Sequence, residues 1–194
     1  WGSEPVRVLI LTGQNNHAWQ ETTPELRGIL EQTGRFAVEV TEQPEAMTSE
    51  SVSRYDVILS NWNTWGDGAQ VKTWPEAARQ ALMGFVRGGK GFVSVHAGSS
   101  SLYEWQEYQE LAITAWAIGE TGHGKQHTFR VAPVGVEHPI TRGVEPFMIT
   151  DELWHKVPVA EGATILATAY SDEANGGTGR DEPVLFARTL GEGR

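Results

Sequence analysis

The chain has 194 residues, with 25 acidic against 15 basic side chains and no cysteine. The net charge of −10 argues against a nucleic-acid partner, which would favour a clustered basic face, and against an anionic membrane surface. The lack of cysteine excludes disulfides, thiolate metal ligands and a thiol nucleophile, but both the cytosol and the periplasm permit such a protein, so the compartment stays open.

The length favours one α/β domain, and no stretch of 18 apolar residues predicts a membrane span. The chain begins with Trp1 and ends abruptly in a turn-like Gly191-Glu192-Gly193-Arg194. We therefore expect a single domain over residues 1–194, truncated at its C-terminus.

The first half predicts strands that alternate with helices. Short buried runs predict strands at 6–11, 36–40 and 56–60, and a fourth strand that ends at His96. Capping-box patterns at 22–25 and 73–76 predict the starts of two helices. Apolar stripes then continue each helix, and these are Leu26, Ile29 and Leu30 in the first, and Ala78, Ala81, Leu82 and Phe85 in the second. Such a β-α-β-α order predicts a mainly parallel sheet with helices on both faces.

The second half is less regular. After the strand that ends at His96, a helix is expected around 102–111. Alternating or buried runs then predict strands at 127–131, 164–169 and 183–187. The glycines at 175–179 follow a strand, but their spacing fits neither a phosphate loop nor a dinucleotide fold, so we expect no nucleotide cofactor.

Histidines follow two of the predicted parallel strands. His17 lies just beyond the first strand and His96 ends the fourth. Because ligands of open α/β sheets bind outside the carboxyl ends of the strands, both rings could face one cleft, where an imidazole can bind a metal or move a proton. The alternative for each ring is a hydrogen-bonded structural role.

Two further spacings involve histidine. Glu152 and His155 are three residues apart and would point the same way on a helical turn, either as ligands of zinc, manganese or a similar ion or as an acid–base pair. The alternative is a surface turn. His123 and His127 are four residues apart, which suits a metal on a helix, but the neighbouring Gly124 disfavours a helix there.

Eight tryptophans are many for this length. Trp19, Trp62, Trp65 and Trp154 fall in polar segments beside the predicted rim, where an indole can stack on the C–H face of a sugar. We name Trp19, Trp62 and the adjacent Asn63 as candidate substrate-binding residues. The alternative is that these rings belong to the core, which we expect for Trp105 and Trp116.

Several blocks in order resemble the ThuA-like family, named after a trehalose-utilisation protein. The blocks that carry the resemblance are residues 89–97, Trp116 with 121–124 and His127, 138–143, 151–155, 177–179 and 182–183. The resemblance implies a class I glutamine amidotransferase-like fold, which is a flavodoxin-like, doubly wound α/β sheet. It places His96 where the amidotransferases have their cysteine, so glutaminase activity is not expected.

The resemblance also implies a role in sugar catabolism, on disaccharides or keto-sugars. We interpret the chain as a carbohydrate enzyme that uses His96, His17, Glu152 and His155 in acid–base chemistry, with an optional divalent metal and with His123 and His127 as weaker metal candidates. The alternative is a non-catalytic sugar-binding or assembly module, because fold alone does not establish function. The expected partner is a small carbohydrate rather than nucleic acid or membrane, and assembly into a homo-oligomer is left open.

Overall fold

The structure is a computed structural model that describes residues 4–65 and 73–194. The Cα positions form two compact units, of which the first comprises residues 1–112 and 189–194 and the second residues 113–188. The expected single domain over the whole chain stays a prediction. Among the described residues, no helix has the length and apolar character needed to cross a bilayer.

The described part of the first unit contains one four-stranded parallel sheet. Its elements, in chain order, are β1 (Val6–Leu11), α1 (Trp19–Glu31), β2 (Phe36–Thr41), α2 (Ser49–Val52), β3 (Val57–Ser60), α3 (Glu76–Arg87), β4 (Gly91–Ser94) and α4 (Gln106–Ala112). The strand order is β2-β1-β3-β4, and every pairing is parallel. The predicted α/β layout with a parallel sheet is therefore confirmed in this unit.

Side chains on the central strand β1 are buried on both faces of the sheet. Val8 and Ile10 pack with Leu26 and other residues of α1. The alternate residues, Leu9 among them, pack in a different cluster with Leu82 of α3. This explains why β1 is an almost continuous apolar run, as expected for a strand covered by helices on both sides.

Helix α1 begins earlier than the capping-box pattern predicts. It starts at Trp19, so Trp19 occupies the first helical position rather than a loop, and Pro24 lies inside the helix. The Thr23 hydroxyl lies 2.7 Å from the Thr12 hydroxyl and accepts a hydrogen bond from the Asn61 amide at 3.0 Å. The predicted cap was wrong because these threonines bind the neighbouring loops instead of the helix N-terminus.

The start of α3, the end of β4 and the start of α4 also differ from the predictions. Pro75 stands at the N-cap of α3 without a side-chain cap, so the second predicted capping box is absent as well. Strand β4 ends at Ser94, and His96 opens a 3-10 turn, His96–Ser99. Helix α4 therefore begins only at Gln106 instead of 102.

The second unit is built from antiparallel strands. Its described strands are β5 (Gly122–His123), β6 (His127–Pro133), β7 (Phe147–Asp151), β8 (Trp154–His155), β9 (Thr164–Ser171) and β10 (Arg180–Ala187). The order β10-β9-β6-β7 forms one antiparallel sheet, and β5 pairs with β8 in a second. The three predicted strands of this half exist, but they do not extend a mainly parallel sheet.

Candidate functional site

His96 lies just beyond the carboxyl end of β4 in a strained backbone conformation. Its φ is +47°, in the left-handed region that few residues other than glycine adopt. Gly98, in the same turn, lies so close to the Ser60 carbonyl oxygen that a Cβ atom would overlap it. Strain of this kind persists only where the surrounding structure enforces it, and such positions cluster at functional sites.

The buried Tyr108 stabilises the turn that carries His96. The Tyr108 hydroxyl donates a hydrogen bond to the Gly98 carbonyl oxygen at 2.7 Å and lies 3.4 Å from the Ser60 hydroxyl. Burial raises the pKa of Tyr108 to about 12. The phenol therefore stays protonated and keeps donating to the turn at any ordinary pH.

His17 lies in the loop that follows β1, and an amide network holds this loop. The side-chain oxygen of Asn15 accepts from the His17 backbone N–H at 2.9 Å and from the Asn63 amide at 2.9 Å. The Asn15 amide in turn donates to the Asn61 carbonyl oxygen at 3.0 Å. These hydrogen bonds join the loops after β1 and β3 and thereby position the backbone of His17.

The two imidazoles meet at the end of the parallel sheet. Their Nε2 atoms are 3.1 Å apart, their ring centroids are 4.6 Å apart, and the rings are tilted by 50°. Both rings are accessible to solvent. The predicted convergence of His17 and His96 is therefore present within the first unit.

This geometry permits two kinds of chemistry. With one Nε2 protonated and the other not, the rings share a hydrogen bond and can pass a proton to or from a bound molecule. Two nitrogen ligands of a tetrahedral zinc ion, each at about 2.0–2.1 Å, would be about 3.3 Å apart, so the observed Nε2 separation also fits a divalent cation. The structure thus fits both expectations for the pair.

Trp62 and Asn63 are located differently from what the substrate-binding prediction requires. Both side chains are fully buried. The Trp62 ring packs at 5.3 Å from the Trp74 ring, and Asn63 binds Asn15 and the neighbouring Asn16. A buried indole offers no face to a sugar, so the prediction of direct contact is wrong for Trp62 and Asn63, and the core alternative is correct. Trp19 is half-buried, and its predicted contact with substrate stays a prediction.

Glu152 and His155 do not lie on a common helical turn. His155 is in strand β8, and its ring packs over Gly122, the residue with which it pairs. Glu152 instead accepts a hydrogen bond from the Trp154 indole at 3.1 Å and has its other carboxylate oxygen 3.6 Å from His123 Nε2. Glu152 lies in the two-residue connection between β7, which ends at Asp151, and β8, so the spacing of a helical turn does not apply to this pair.

His123 and His127 lie on separate strands, so a helical metal-binding pair is not formed. His127 Nδ1 is 2.8 Å from the Lys125 carbonyl oxygen, and its ring packs 5.3 Å from Phe129. His123 points to Glu152. His138 lies in a turn, where its carbonyl oxygen accepts a hydrogen bond from the Thr141 N–H at 3.1 Å.

Sequence reasoning missed the residues that position the histidine pair. Asn15, Asn61 and Tyr108 carry that role in the first unit. A signal for the amides is present in the chain, because polar amides directly follow two buried strands, at 14–16 and at 61–63. No comparable signal marks Tyr108, since its burial depends on the packing of α4.

Comparison with known proteins is consistent with this architecture. A crystal structure of a putative ThuA-like protein from Parabacteroides merdae is 28% identical, with a TM-score of 0.83 over 97% of this chain and 77% of that one. A second putative ThuA-like protein, from Bacteroides uniformis, is 17% identical, with a TM-score of 0.72 over 97% of this chain and 80% of that one. A glutamine amidotransferase from Thermotoga maritima shares the fold alone, at 12% identity and a TM-score of 0.51, over 98% of this chain and 74% of that one.

Among curated proteins, none matches this chain significantly. A family model named ThuA and described as trehalose utilisation matches residues 7–194, nearly the whole length. The family description indicates a role in carbohydrate metabolism. The chain therefore belongs to the ThuA family.

Proposed function

We propose that this protein is an enzyme of carbohydrate metabolism that processes a sugar, disaccharide or keto-sugar by acid–base chemistry at His17 and His96. One observation carries the proposal, namely the 3.1 Å separation of the two Nε2 atoms at the carboxyl end of a parallel sheet. A hydroxyl or carbonyl group bound there would be within reach of one proton donor and one acceptor.

The strained backbone at His96 supports a catalytic rather than a structural role. A structural hydrogen bond between histidines does not require a φ of +47° next to a glycine packed against the Ser60 carbonyl. The buried hydrogen bond from Tyr108 and the amide network at Asn15 hold the backbone that carries the two histidines. Such preorganisation is what catalysis requires of its proton-transferring groups.

A divalent cation such as zinc or manganese is part of the proposal as an option. When bound by the Nε2 atoms of His17 and His96, it would polarise a sugar carbonyl or hydroxyl. The proposal retains Glu152 and His155 as further catalytic residues and Trp19 as a sugar contact. It also retains the doubly wound, flavodoxin-like description of the first unit, supported by the strand order β2-β1-β3-β4 and by helices on both sheet faces.

The test compares purified wild-type protein with His17→Ala, His96→Ala and a matched control, His138→Ala. Each is incubated with trehalose, other disaccharides and their keto forms, and consumption of the sugar is followed by NMR, since hydrolysis, isomerisation and elimination all consume it. We expect the two site variants to lose at least a hundredfold in turnover while the control keeps it.

Sugar binding is measured in parallel by calorimetry. Turnover that survives in both site variants would overturn the acid–base proposal. Binding without any turnover in the wild type would favour the non-catalytic sugar-binding module instead.

A further inference from the structure

We propose that Trp65 and Tyr103 form an aromatic platform that binds one pyranose ring of the substrate through its C–H face. The inference rests on the proposed function, because it assigns a sugar contact to the site of His17 and His96. It uses side chains of the first unit alone. Its test measures the binding of a sugar and not its turnover.

The first step concerns the exposure of the two rings. Trp65 is 36% exposed and Tyr103 is 38% exposed. In contrast, Trp74 and Trp105 of the same unit are buried in its core. Leaving aromatic surface in water forgoes the stabilisation that burial would give. Two such rings in contact with each other form an apolar patch rather than scattered single residues, and a patch of this kind marks a binding surface.

The second step concerns the arrangement of the rings. The centroids of Trp65 and Tyr103 are 6.4 Å apart, and the ring planes are tilted by 59°. Parallel stacked rings would cover each other, whereas tilted rings leave an open corner between a face and an edge. A pyranose has an apolar C–H face and hydroxyl groups at its rim. It can therefore lie on one aromatic face while the other ring contacts its side.

The third step concerns where the platform lies. Strands β3 and β4 are parallel neighbours, with Ser60 opposite Ser94 at their carboxyl ends. Trp65 follows the end of β3, and Tyr103 follows the turn that His96 opens after β4. Ligands of such sheets bind outside the carboxyl ends of the strands. A sugar on the platform therefore lies at the same end of the sheet as the histidine pair.

The fourth step concerns the backbone of Trp65. Its N–H donates to Asn63 Oδ1 at 3.1 Å, and the Asn63 amide donates to Asn15 Oδ1 at 2.9 Å. Asn15 Oδ1 also accepts from the His17 backbone N–H at 2.9 Å. The same buried amide thus positions Trp65 and the loop of His17. A shared support of this kind is what a substrate contact and a reacting group need to keep a fixed separation.

The fifth step concerns the backbone before Tyr103. Leu102 has a φ of +50°, in the left-handed region, and its side chain is fully buried. Its N–H donates to Thr64 Oγ1 at 2.9 Å, and Thr64 directly precedes Trp65. This hydrogen bond ties together the two segments that carry the platform. Strain of this kind persists only where the surrounding structure enforces it, and such positions cluster at functional sites.

The experiment measures binding of trehalose and of methyl α-glucoside, both built from pyranose rings, to the full chain by calorimetry. The variants are Trp65→Ala and Tyr103→Ala, and Tyr170→Ala, at an exposed tyrosine of β9, is the matched control. We expect both platform variants to bind at least one of the sugars about tenfold more weakly, because they lose a stacking surface, while the control binds as the wild type does. Wild-type affinity in both platform variants, or no binding of either sugar to the wild type, would overturn the proposal.

Conservative variants and a spectroscopic readout keep the result independent of folding defects. Trp65→Phe and Tyr103→Phe retain an aromatic face and should restore most of the affinity. In saturation-transfer NMR of the wild type, irradiation of the aromatic protons should transfer most strongly to the C–H protons of one sugar face. Sorbitol, an open-chain polyol without such a face, should receive far less. Equal transfer to all C–H protons of the sugar, or equal transfer to sorbitol, would also overturn the proposal.

The two proposals of this site fail in different measurements. His17→Ala and His96→Ala should lose turnover but keep the affinity for the sugar, whereas the platform variants lose affinity. Sugar binding that depends on Trp65 and Tyr103 without turnover in the wild type would leave the platform in place and overturn the acid–base proposal. Turnover that depends on the histidines, with wild-type affinity in both platform variants, would do the reverse.

Discussion

The Nε2 atoms of His17 and His96 lie 3.1 Å apart, although 79 residues separate them in the chain. Each histidine follows a parallel strand, β1 or β4, and β3 lies between these strands in the sheet. The contact between the two rings therefore spans the end of the intervening strand. Asparagine contacts hold the His17 loop, and a left-handed residue shapes the turn at His96.

The left-handed backbone of His96 predicts an unusual order of stability between two variants. A residue with a Cβ atom pays about 1–2 kcal/mol in this conformation, whereas glycine does not. Because His96→Gly and His96→Ala both remove the imidazole, the glycine variant should be the more stable by about 1 kcal/mol. Urea unfolding of the two proteins measures the difference. An alanine variant as stable as the glycine variant would show that the backbone relaxes there.

The buried amide of Asn63 predicts that its removal lowers both the free energy of unfolding and the turnover of sugar. Its Nδ2 atom donates to Asn15 and Asn16, and its Oδ1 accepts from the Trp65 N–H at 3.1 Å. Asn63→Ala leaves these groups short of partners, which should lower the free energy of unfolding by about 1–3 kcal/mol and release the His17 loop.

Urea unfolding and sugar turnover, measured on the same preparation, check both effects. Gln43→Ala, at an exposed amide, is the control and should change stability by less than about 0.5 kcal/mol. If Asn63→Ala matched this control in both measurements, the amide network would have no positioning role.

Gly98 and Gly84 predict opposite responses to the same substitution. A Cβ at Gly98 would overlap the Ser60 carbonyl oxygen, while a Cβ at Gly84, within α3, would meet no atom within 4 Å. Gly98→Ala should therefore destabilise the fold by more than about 2 kcal/mol, and Gly84→Ala should stabilise it by about 0.5–1 kcal/mol. Thermal unfolding of the pair decides this, and the expectation fails if both variants shift in the same direction.

The ion pair between Lys90 and Asp56 predicts part of the acid sensitivity. The hydrogen bond from Lys90 Nζ at 2.8 Å, helped by the Arg7 backbone N–H, lowers the pKa of Asp56 from 3.8 to about 2. Because the folded-state pKa is depressed, the stabilisation is fully present above the unfolded-state value and is lost as the pH falls from about 4 towards 2. Solvent exposure of about a third of each side chain keeps the effect small.

Urea unfolding between pH 2 and 6 measures this contribution. Asp56→Asn should flatten the stability profile below pH 4, and Lys90→Met should flatten it only in part because the Arg7 N–H remains. A profile identical to that of the wild type in both variants would exclude a role for this pair.

Local patterns in the chain were sufficient to predict the first unit to a large extent. The four parallel strands and the stripe of α3 follow from runs that must be buried on one or two faces, and burial of this kind is visible in the order of residue types. The helix starts were less accurate, because threonines such as Thr23 can cap a helix or bind a neighbouring loop, and only the neighbouring loop decides which.

The sequence by itself determined the residue types at the candidate site, namely histidines and amides directly after buried strands, and excluded a thiol nucleophile. Only the tertiary structure decided which of them meet. In the structure His17 contacts His96, and Glu152 lies beside His123 instead of His155. Trp62 is buried in the core. The physical reason is that strand order, strand direction and the bend of each loop arise from contacts between residues far apart in the chain, which no local spacing encodes.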